Sequence, residues 1–163
     1  MKMTCLALLV AGVLGSGAAF AQTCGAPGSW NPDAGGAPTV VTDLCALSDS
    51  VTLYCGALDS QSKNDGIYQI NLAAGFTATS ISVSGAAAGF NPLLVMYTAG
   101  CATGDGCFQT GDANTPLPLA GALPGAYFLA VTPVASDAAG ACGTTTMTTN
   151  GTFPVSLQNF SVE

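Results

Sequence analysis

The side chains that most often perform chemistry in enzymes are scarce in this sequence. Histidine and arginine are absent, and the only basic residues are Lys2 and Lys63. Without imidazole no Ser-His-Asp or Cys-His arrangement can form, and without guanidinium there is no bidentate clamp for an anion. Lys63 stands in the polar stretch "DSQSKNDG", where a solvated amine is expected rather than a desolvated, catalytic one. The residue types therefore argue against an enzyme.

The acidic residues are the remaining candidates for catalysis. Two suitably placed carboxylates can hydrolyse a glycosidic bond, but the only glutamate is the last residue, Glu163. Nearly all aspartates stand in turn-forming contexts such as "NPDAGG", "LSDSV" and "NDG", where Asp typically accepts hydrogen bonds from its own backbone. A hydrolase that uses a pair of aspartates is therefore the least favoured hypothesis.

Calcium is the best ligand hypothesis that the acidic residues offer. Asp105 in "TGDGC" and Asp112 and Asn114 in "TGDANT" carry hard oxygen ligands on neighbouring predicted loops, which is the chemistry that Ca²⁺ prefers. Asp59 and Asp65 flank a second polar turn. The competing interpretation, turn-forming aspartates without metal, is favoured, and no cofactor is expected to be required.

The beginning of the chain predicts export. Lys2 precedes an apolar run from Leu6 to Val13 and small residues that lead to Ala19-Phe20-Ala21, the layout of a secretory signal peptide cleaved after Ala21. The apolar run is shorter than the roughly 20 residues of a membrane span. We expect residues 1–21 to be the signal peptide, 22–43 an irregular segment and 44–163 one β-sandwich domain, acting in the periplasm, at the cell surface or in the medium.

The charge balance excludes two classes of partner. The formal net charge is −7, and nucleic-acid binding depends on Lys and Arg contacts to phosphates. Anionic membrane surfaces attract basic segments in the same way. We therefore expect no nucleic-acid partner and no insertion into a membrane, and a partner that is an extracellular protein or a glycan, with self-assembly as the alternative.

Six of the seven cysteines follow the predicted cleavage site. An even number of cysteines in an exported chain favours disulfides, and neither histidines nor paired C-x-x-C spacings support zinc. The sequence cannot choose the pairing with certainty. Short spacing favours Cys101–Cys107 across "CATGDGC" and Cys45–Cys55 across "CALSDSVTLYC". Cys24–Cys142 would then tie the N-terminal segment to a late loop.

Alternation of apolar and polar residues predicts strands and no helix. In "DGIYQINLAAG" the apolar face consists of Tyr68, Ile70 and Leu72, and in "TATSISVSG" it consists of Ile81 and Val83. "NPLLVMYTAG" and "GAYFLAVTPV" are continuously apolar, as strands buried on both faces are. A shorter alternation occurs in "SVTLYCG". Many short strands separated by Gly, Pro, Asn and Asp indicate a β-sandwich or a β-barrel.

The C-terminal stretch "FPVSLQNFSVE", from Phe153 to Glu163, is the clearest strand in the sequence. Its alternation slips by one residue at Gln158-Asn159, which predicts a β-bulge. We expect this strand to complete a sheet of its own molecule, because an open edge invites aggregation. The alternative is that it inserts into a neighbouring molecule, as donor strands do.

Four of these segments, in order, resemble the bacterial pre-peptidase C-terminal domain: "NDGIYQINLAAG", "NPLLVMYTAG", "TGDANTP" and "LPGAYFLAVTP". The resemblance covers about residues 64–134. It implies a jelly-roll-like antiparallel β-sandwich, a class of domain usually appended to secreted peptidases, some members of which bind collagen or calcium. The positions with matching residue types are Asp65, Tyr68, Gly75, Leu94, Tyr97, Asp112, Gly125, Tyr127 and Val131.

Three functional hypotheses follow from the sequence. The favoured one is an exported, non-catalytic β-sandwich that binds a protein, a glycan or calcium. The second is a structural subunit of a surface filament or coat, and the third is the hydrolase. Exposed aromatic residues would favour a glycan, and Trp30, Tyr54 and Tyr97 are candidates, whereas Tyr68 and Tyr127 are expected in the core.

Overall fold

The protein folds into two β-sheets packed face to face. The computed structural model describes residues 23–30, 39–49, 53–54, 58–59, 63–85, 87–98 and 107–151. Within these ranges there is no α-helix, only the short 3-10 turn η1 (Leu44–Ala46). No helix in this part of the chain is both long and apolar enough to cross a bilayer. The prediction of an all-β chain is therefore confirmed.

Eleven strands lie in the described ranges. Their bounds, in chain order, are β1 (Gly28–Ser29), β2 (Thr39–Asp43), β3 (Leu53–Tyr54), β4 (Leu58–Asp59), β5 (Gly66–Leu72), β6 (Ser80–Gly85), β7 (Pro92–Tyr97), β8 (Cys107–Asp112), β9 (Leu117–Pro118), β10 (Gly125–Pro133) and β11 (Thr144–Asn150).

The strand order is that of a jelly roll. One sheet has five strands in the order β1-β5-β10-β7-β8, and the other has four in the order β2-β11-β6-β9. Setting aside β1 and the small hairpin β3–β4, eight strands remain. The first pairs with the last, the second with the seventh, the third with the sixth and the fourth with the fifth, all antiparallel. This nesting is a long hairpin rolled up into two sheets. The predicted jelly-roll-like β-sandwich is confirmed.

The main core lies between the sheets and follows the predicted alternation. Tyr68, Ile70 and Leu72 of β5 point into it, as do Ile81 and Val83 of β6. Successive side chains of a strand point to opposite faces. One parity of each strand therefore fills this core, and the other parity points away from it.

A second apolar cluster lies at the centre of the outer face of the five-stranded sheet. In β7, Leu94 and Met96 point into the main core. Val95 and Tyr97 point outward, where they form a cluster with Ile67 and Ala130. All four members of this outer cluster have no solvent exposure. The continuous apolar run of β7 thus has the predicted cause, since the strand is buried on both faces.

The described part of residues 22–43 differs from the predicted irregular segment. It contributes β1 and the five-residue strand β2. β1 pairs in parallel with β5, and β2 pairs with β11. A short strand with one half-buried Val40 and an exposed Val41 has little hydrophobic contrast, so tertiary pairing rather than local pattern decides its structure.

Two disulfide predictions are wrong. Cys45 is bonded to Cys142, with their Cα atoms 5.1 Å apart and a sequence separation of 97. This bond excludes both Cys45–Cys55 and Cys24–Cys142. The reason is topological: β2 lies beside β11, so the turn after β2 meets the loop before β11. Leu44 N donates a hydrogen bond to Gly143 O at 3.1 Å there.

The remaining cysteines are only partly described. Cys24 and Cys107 are also disulfide-bonded. Cys55 and Cys101 lie outside the described residues, so the Cys101–Cys107 pairing stays a prediction. The predicted terminal strand from Phe153 and its bulge lie outside them as well.

Substituting Gly111 by alanine should destabilise the fold by about 3 kcal/mol, the upper part of the range for overpacking. An added Cβ would lie 2.6 Å from Leu117 Cα, where β9 crosses over β8. Urea unfolding measures the effect. Gly25→Ala is the matched control, because its Cβ would meet only Thr23 Oγ1 at 3.9 Å. Equal stability of the two variants would contradict this close approach.

Candidate functional site: the hydroxyl face of the four-stranded sheet

The outward side of the four-stranded sheet is an array of mostly small polar side chains. β11 has the sequence TTTMTTN, in which Thr145, Met147 and Thr149 are buried. The alternate residues of β11 point outward. We name this surface the hydroxyl face. It consists of Thr39, Val41, Asp43, Ser80, Ser82, Ser84, Pro118, Thr144, Thr146, Thr148 and Asn150.

The strand register aligns these side chains in rows. Directly opposed residues on neighbouring strands are about 4.5–5.5 Å apart, and successive outward residues of one strand are about 6.5–7 Å apart. Four rows cross the sheet: Thr39–Thr148–Ser82, Val41–Thr146–Ser84, Asn150–Ser80–Pro118 and, at one end, Asp43–Thr144. The face is therefore periodic in two directions.

Hydrogen bonds within the hydroxyl face fix its side chains. Thr39 Oγ1 and Thr148 Oγ1 are 3.2 Å apart across the β2–β11 pair. Asn150 Nδ2 donates to Ser80 Oγ at 2.8 Å and to Ser82 Oγ at 2.9 Å. Threonine is also stiff about χ1. The hydroxyls and methyl groups consequently hold defined positions.

The hydroxyl face is nearly uncharged and has no aromatic residue. Asp43, at the end of the edge strand β2, is its only ionisable member. Val41 is 61% exposed and is one of two large hydrophobic residues exposed in the described chain. The face therefore combines hydroxyls with methyl groups and offers nothing for ion pairing or ring stacking.

The opposite outer surface of the molecule is different. On the five-stranded sheet the outward side chains at the centre, among them Val95 and Tyr97, are buried, whereas Gln69, Asn71 and Thr110 are exposed on the same side. Polar residues are also buried in this half of the sandwich: Lys63 is 3% exposed, and Asp65 and Thr132 are fully buried. The hydroxyl face is therefore the more regular and more uniformly polar of the two outer sheet faces.

The burial of Lys63 corrects the prediction of a solvated amine. Its Nζ donates a hydrogen bond to the main-chain oxygen of Val134 at 2.5 Å. Lys63 and Asp65 are both buried just before β5 begins at Gly66. The turn-like composition around Lys63 gives no sign of this burial. The amine therefore holds the main chain at Val134, directly after β10.

Tyr97 belongs to the outer cluster of the five-stranded sheet. Burial raises the pKa of the Tyr97 phenol well above its ordinary value of 10.0, and the nearby charge of Asp65 raises it further. The phenol is therefore held neutral in the folded protein.

Stability should fall faster with rising pH in the natural protein than in Tyr97→Phe. In the unfolded chain the phenol ionises above about pH 10, while in the fold it stays protonated. Its contribution is thus complete below about pH 10 and is lost above it, at up to about 1.4 kcal/mol per pH unit. Unfolding by urea between pH 8 and 11 measures both proteins. Parallel pH profiles would contradict the prediction.

The residues predicted for calcium form a turn. Asp112 Oδ1 accepts hydrogen bonds from Asn114 N at 2.8 Å and from Thr115 N at 2.7 Å. Asp112 N in turn donates to Thr115 O at 2.8 Å. Asp105 lies outside the described residues, and within the described ranges no three acidic or cysteine side chains gather as a metal site would require. The geometry here is the one in which Asp supports its own loop.

Asp112→Asn should keep the thermal stability within about 0.5 kcal/mol, because the amide oxygen can accept the same two hydrogen bonds. Asp112→Ala should lose about 1–2 kcal/mol, because two backbone donors lose their acceptor. Melting curves with and without millimolar calcium measure both. A calcium-dependent rise in melting temperature that Asp112→Asn abolishes would instead support the metal site.

The aromatic residues considered for a glycan do not form an exposed platform. Trp30 is 5% exposed and Tyr97 is fully buried, while the side chain of Tyr54 lies outside the described part. Tyr68 and Tyr127 are in the core, as predicted. Tyr68 reaches across from the five-stranded sheet, and its hydroxyl contacts Thr42 Oγ1 of β2.

The sequence reasoning missed the hydroxyl face entirely. Its signal was the alternation Thr144, Thr146, Thr148, but β11 lacks the contrast between apolar and polar residues that identifies a strand.

Comparisons with protein-family models, curated proteins and solved structures find no match to this chain.

Proposed function

We propose that the protein is an exported, non-catalytic binding module that meets its partner through the hydroxyl face. The observation that carries the proposal is the asymmetry of the sandwich. The outer face of one sheet has an apolar, buried centre, while the other carries a regular array of exposed and half-buried small polar side chains. A surface of this kind suits a partner that is itself extended, because small ligands are usually held in concave pockets.

The composition supports binding rather than catalysis. Histidine and arginine are absent, and Lys63 is buried against a main-chain oxygen. The predicted signal peptide supports action outside the cytoplasm. The resemblance to the pre-peptidase C-terminal domain supports the same class, an accessory sandwich of secreted proteins, and remains part of the proposal.

The test is adhesion of the secreted protein with and without an intact hydroxyl face. Fluorescently labelled protein is added to the producing cells and to immobilised matrix proteins and polysaccharides. Thr146→Tyr places a ring in the centre of the face, and tyrosine is well tolerated in strands. Thr110→Tyr makes the same change at an exposed position of β8. We expect the first to abolish binding and the second to preserve it.

Two outcomes would contradict this proposal. Equal binding by both variants would place the partner site elsewhere on the molecule. Purified protein that elutes as a polymer, together with filaments on the cell surface, would favour the structural subunit instead.

A further inference from the structure

The hydroxyl face has features that narrow the chemistry of its partner. It is periodic in two directions, it is fixed internally by hydrogen bonds, and its central rows carry no charge. These features are independent of the predicted export and of the family resemblance. The inference below rests on the proposed function, because it names the partner of that same face.

The area of the face excludes a second copy as its main partner. Four rows of two or three residues span roughly 15 by 25 Å, or about 400 Å², from the strand dimensions. A stable protein–protein interface uses about 800 Å² on each partner. A folded protein that docked on this face alone would fall well short of that area.

The chemistry of the face disfavours a single glycan chain or peptide. Such a ligand must displace the water bound to the hydroxyls, and exchanging one set of hydrogen bonds for another gives little net free energy. The usual compensation is an aromatic platform or a charged anchor. Among the described residues of this face there is no aromatic ring, and its only charge, Asp43, is at the margin.

Ordered water is the partner that does not have to be displaced. Waters that bridge protein groups bind nearly as well as direct partners, and their cost is the loss of mobility. The water molecules at the surface of an ice crystal have already lost that mobility. The distances between them are of the same order as the distances between rows and between strands in a β-sheet. One array of hydroxyls can therefore bind many water molecules of the crystal at once.

The side chains present are the ones that such an array needs. Thr146 and Thr148 each add one hydroxyl and one methyl group at a fixed χ1, and Val41 continues the row of methyl groups. The methyl groups restrict the positions that water can occupy between the hydroxyls. A charged side chain would instead impose its own hydration shell, and the central rows have none.

Several contacts hold the strands behind the face in place. The edge strand β2 is tied to β11 by the Cys45–Cys142 disulfide at one end, and Thr145 Oγ1 donates to Thr42 O at 3.3 Å on the inner side. Met147 of β11 is fully buried in the core beneath. We propose that the hydroxyl face adsorbs to ice.

The experiment is partition of the secreted protein into slowly growing ice. Protein purified from the culture medium is frozen slowly from dilute solution, and its concentration in the ice is compared with that in the remaining liquid. We expect the natural protein and Thr110→Tyr to be enriched in the ice. Thr146→Tyr and Ser82→Tyr should lose that enrichment, with unchanged circular dichroism to show that they are folded.

A second arm separates this inference from the proposed function. The same four proteins are sedimented with insoluble, uncharged polysaccharides, cellulose and chitin. Exclusion of the natural protein from ice would overturn the inference. If it then sedimented with a polysaccharide and Thr146→Tyr did not, the binding function would stand with a different partner. Enrichment in ice that survives Thr146→Tyr and Ser82→Tyr would also overturn the inference.

Discussion

Replacing both Cys45 and Cys142 by serine should lower the free energy of unfolding by about 4–5 kcal/mol in the chain-entropy model of disulfide stabilisation. The bond closes a loop of 97 residues, and a long loop restricts the unfolded chain more than a short one. Cys45 is exposed and Cys142 is half-buried. Serine at these positions therefore adds no large desolvation penalty of its own.

Removing the disulfide should also destabilise the edge of the hydroxyl face. β2 is an edge strand held through β11 on one side only, and the disulfide fixes the end of that pair. Urea unfolding gives the stability, and amide hydrogen exchange of Val40 and Val41 reports on the edge. A change below about 1 kcal/mol with unchanged exchange would show that strand pairing alone holds β2.

Replacing Lys63 by methionine should cost about 2–3 kcal/mol, the range for a buried hydrogen bond from a charged donor. Methionine has a similar length and keeps the apolar contacts, so the loss isolates the bond from Nζ to Val134 O. The change also removes the positive charge two residues from the fully buried Asp65.

A double-mutant cycle tests that neighbourhood. If the amine also stabilises the buried carboxyl group, Lys63→Met and Asp65→Asn together should cost at least about 0.5 kcal/mol less than the sum of the single changes. Thr110→Met, on an exposed part of β8, is the control and should stay within about 0.5 kcal/mol. If Lys63→Met left the free energy of unfolding unchanged, the hydrogen bond from Lys63 Nζ to Val134 O would not stabilise the fold as proposed.

The sequence predicted two kinds of strand. β5 and β6 alternate clearly, and β7 and β10 are almost continuously apolar. These patterns predicted a sandwich or a barrel, and the resemblance to the pre-peptidase C-terminal domain favoured the sandwich. β11 was not predicted because Thr is tolerated on both faces of a sheet, and Met147 is the single apolar residue on its inner side. The central claim about function depends on this strand.

The burial of Lys63 and the Cys45–Cys142 disulfide were not predicted from the sequence for a different reason. Lys63 lies in a composition typical of turns, and only its tertiary contacts, among them the bond to Val134 O, bury it. The bond between Cys45 and Cys142 depends on which strands become neighbours, and a jelly roll brings its first and last strands together. Short sequence spacing favoured local pairs, but the topology selected a long-range one.

The most direct test of the account is the solvent accessibility of the threonine methyl groups in the bound protein. NMR with a soluble paramagnetic probe measures this for Thr144, Thr146, Thr148 and Thr110. On the adsorbed or partner-bound protein, the three residues of β11 should become protected while Thr110 stays accessible. Protection of Thr110, or continued access to the β11 methyl groups, would contradict a function carried by the hydroxyl face.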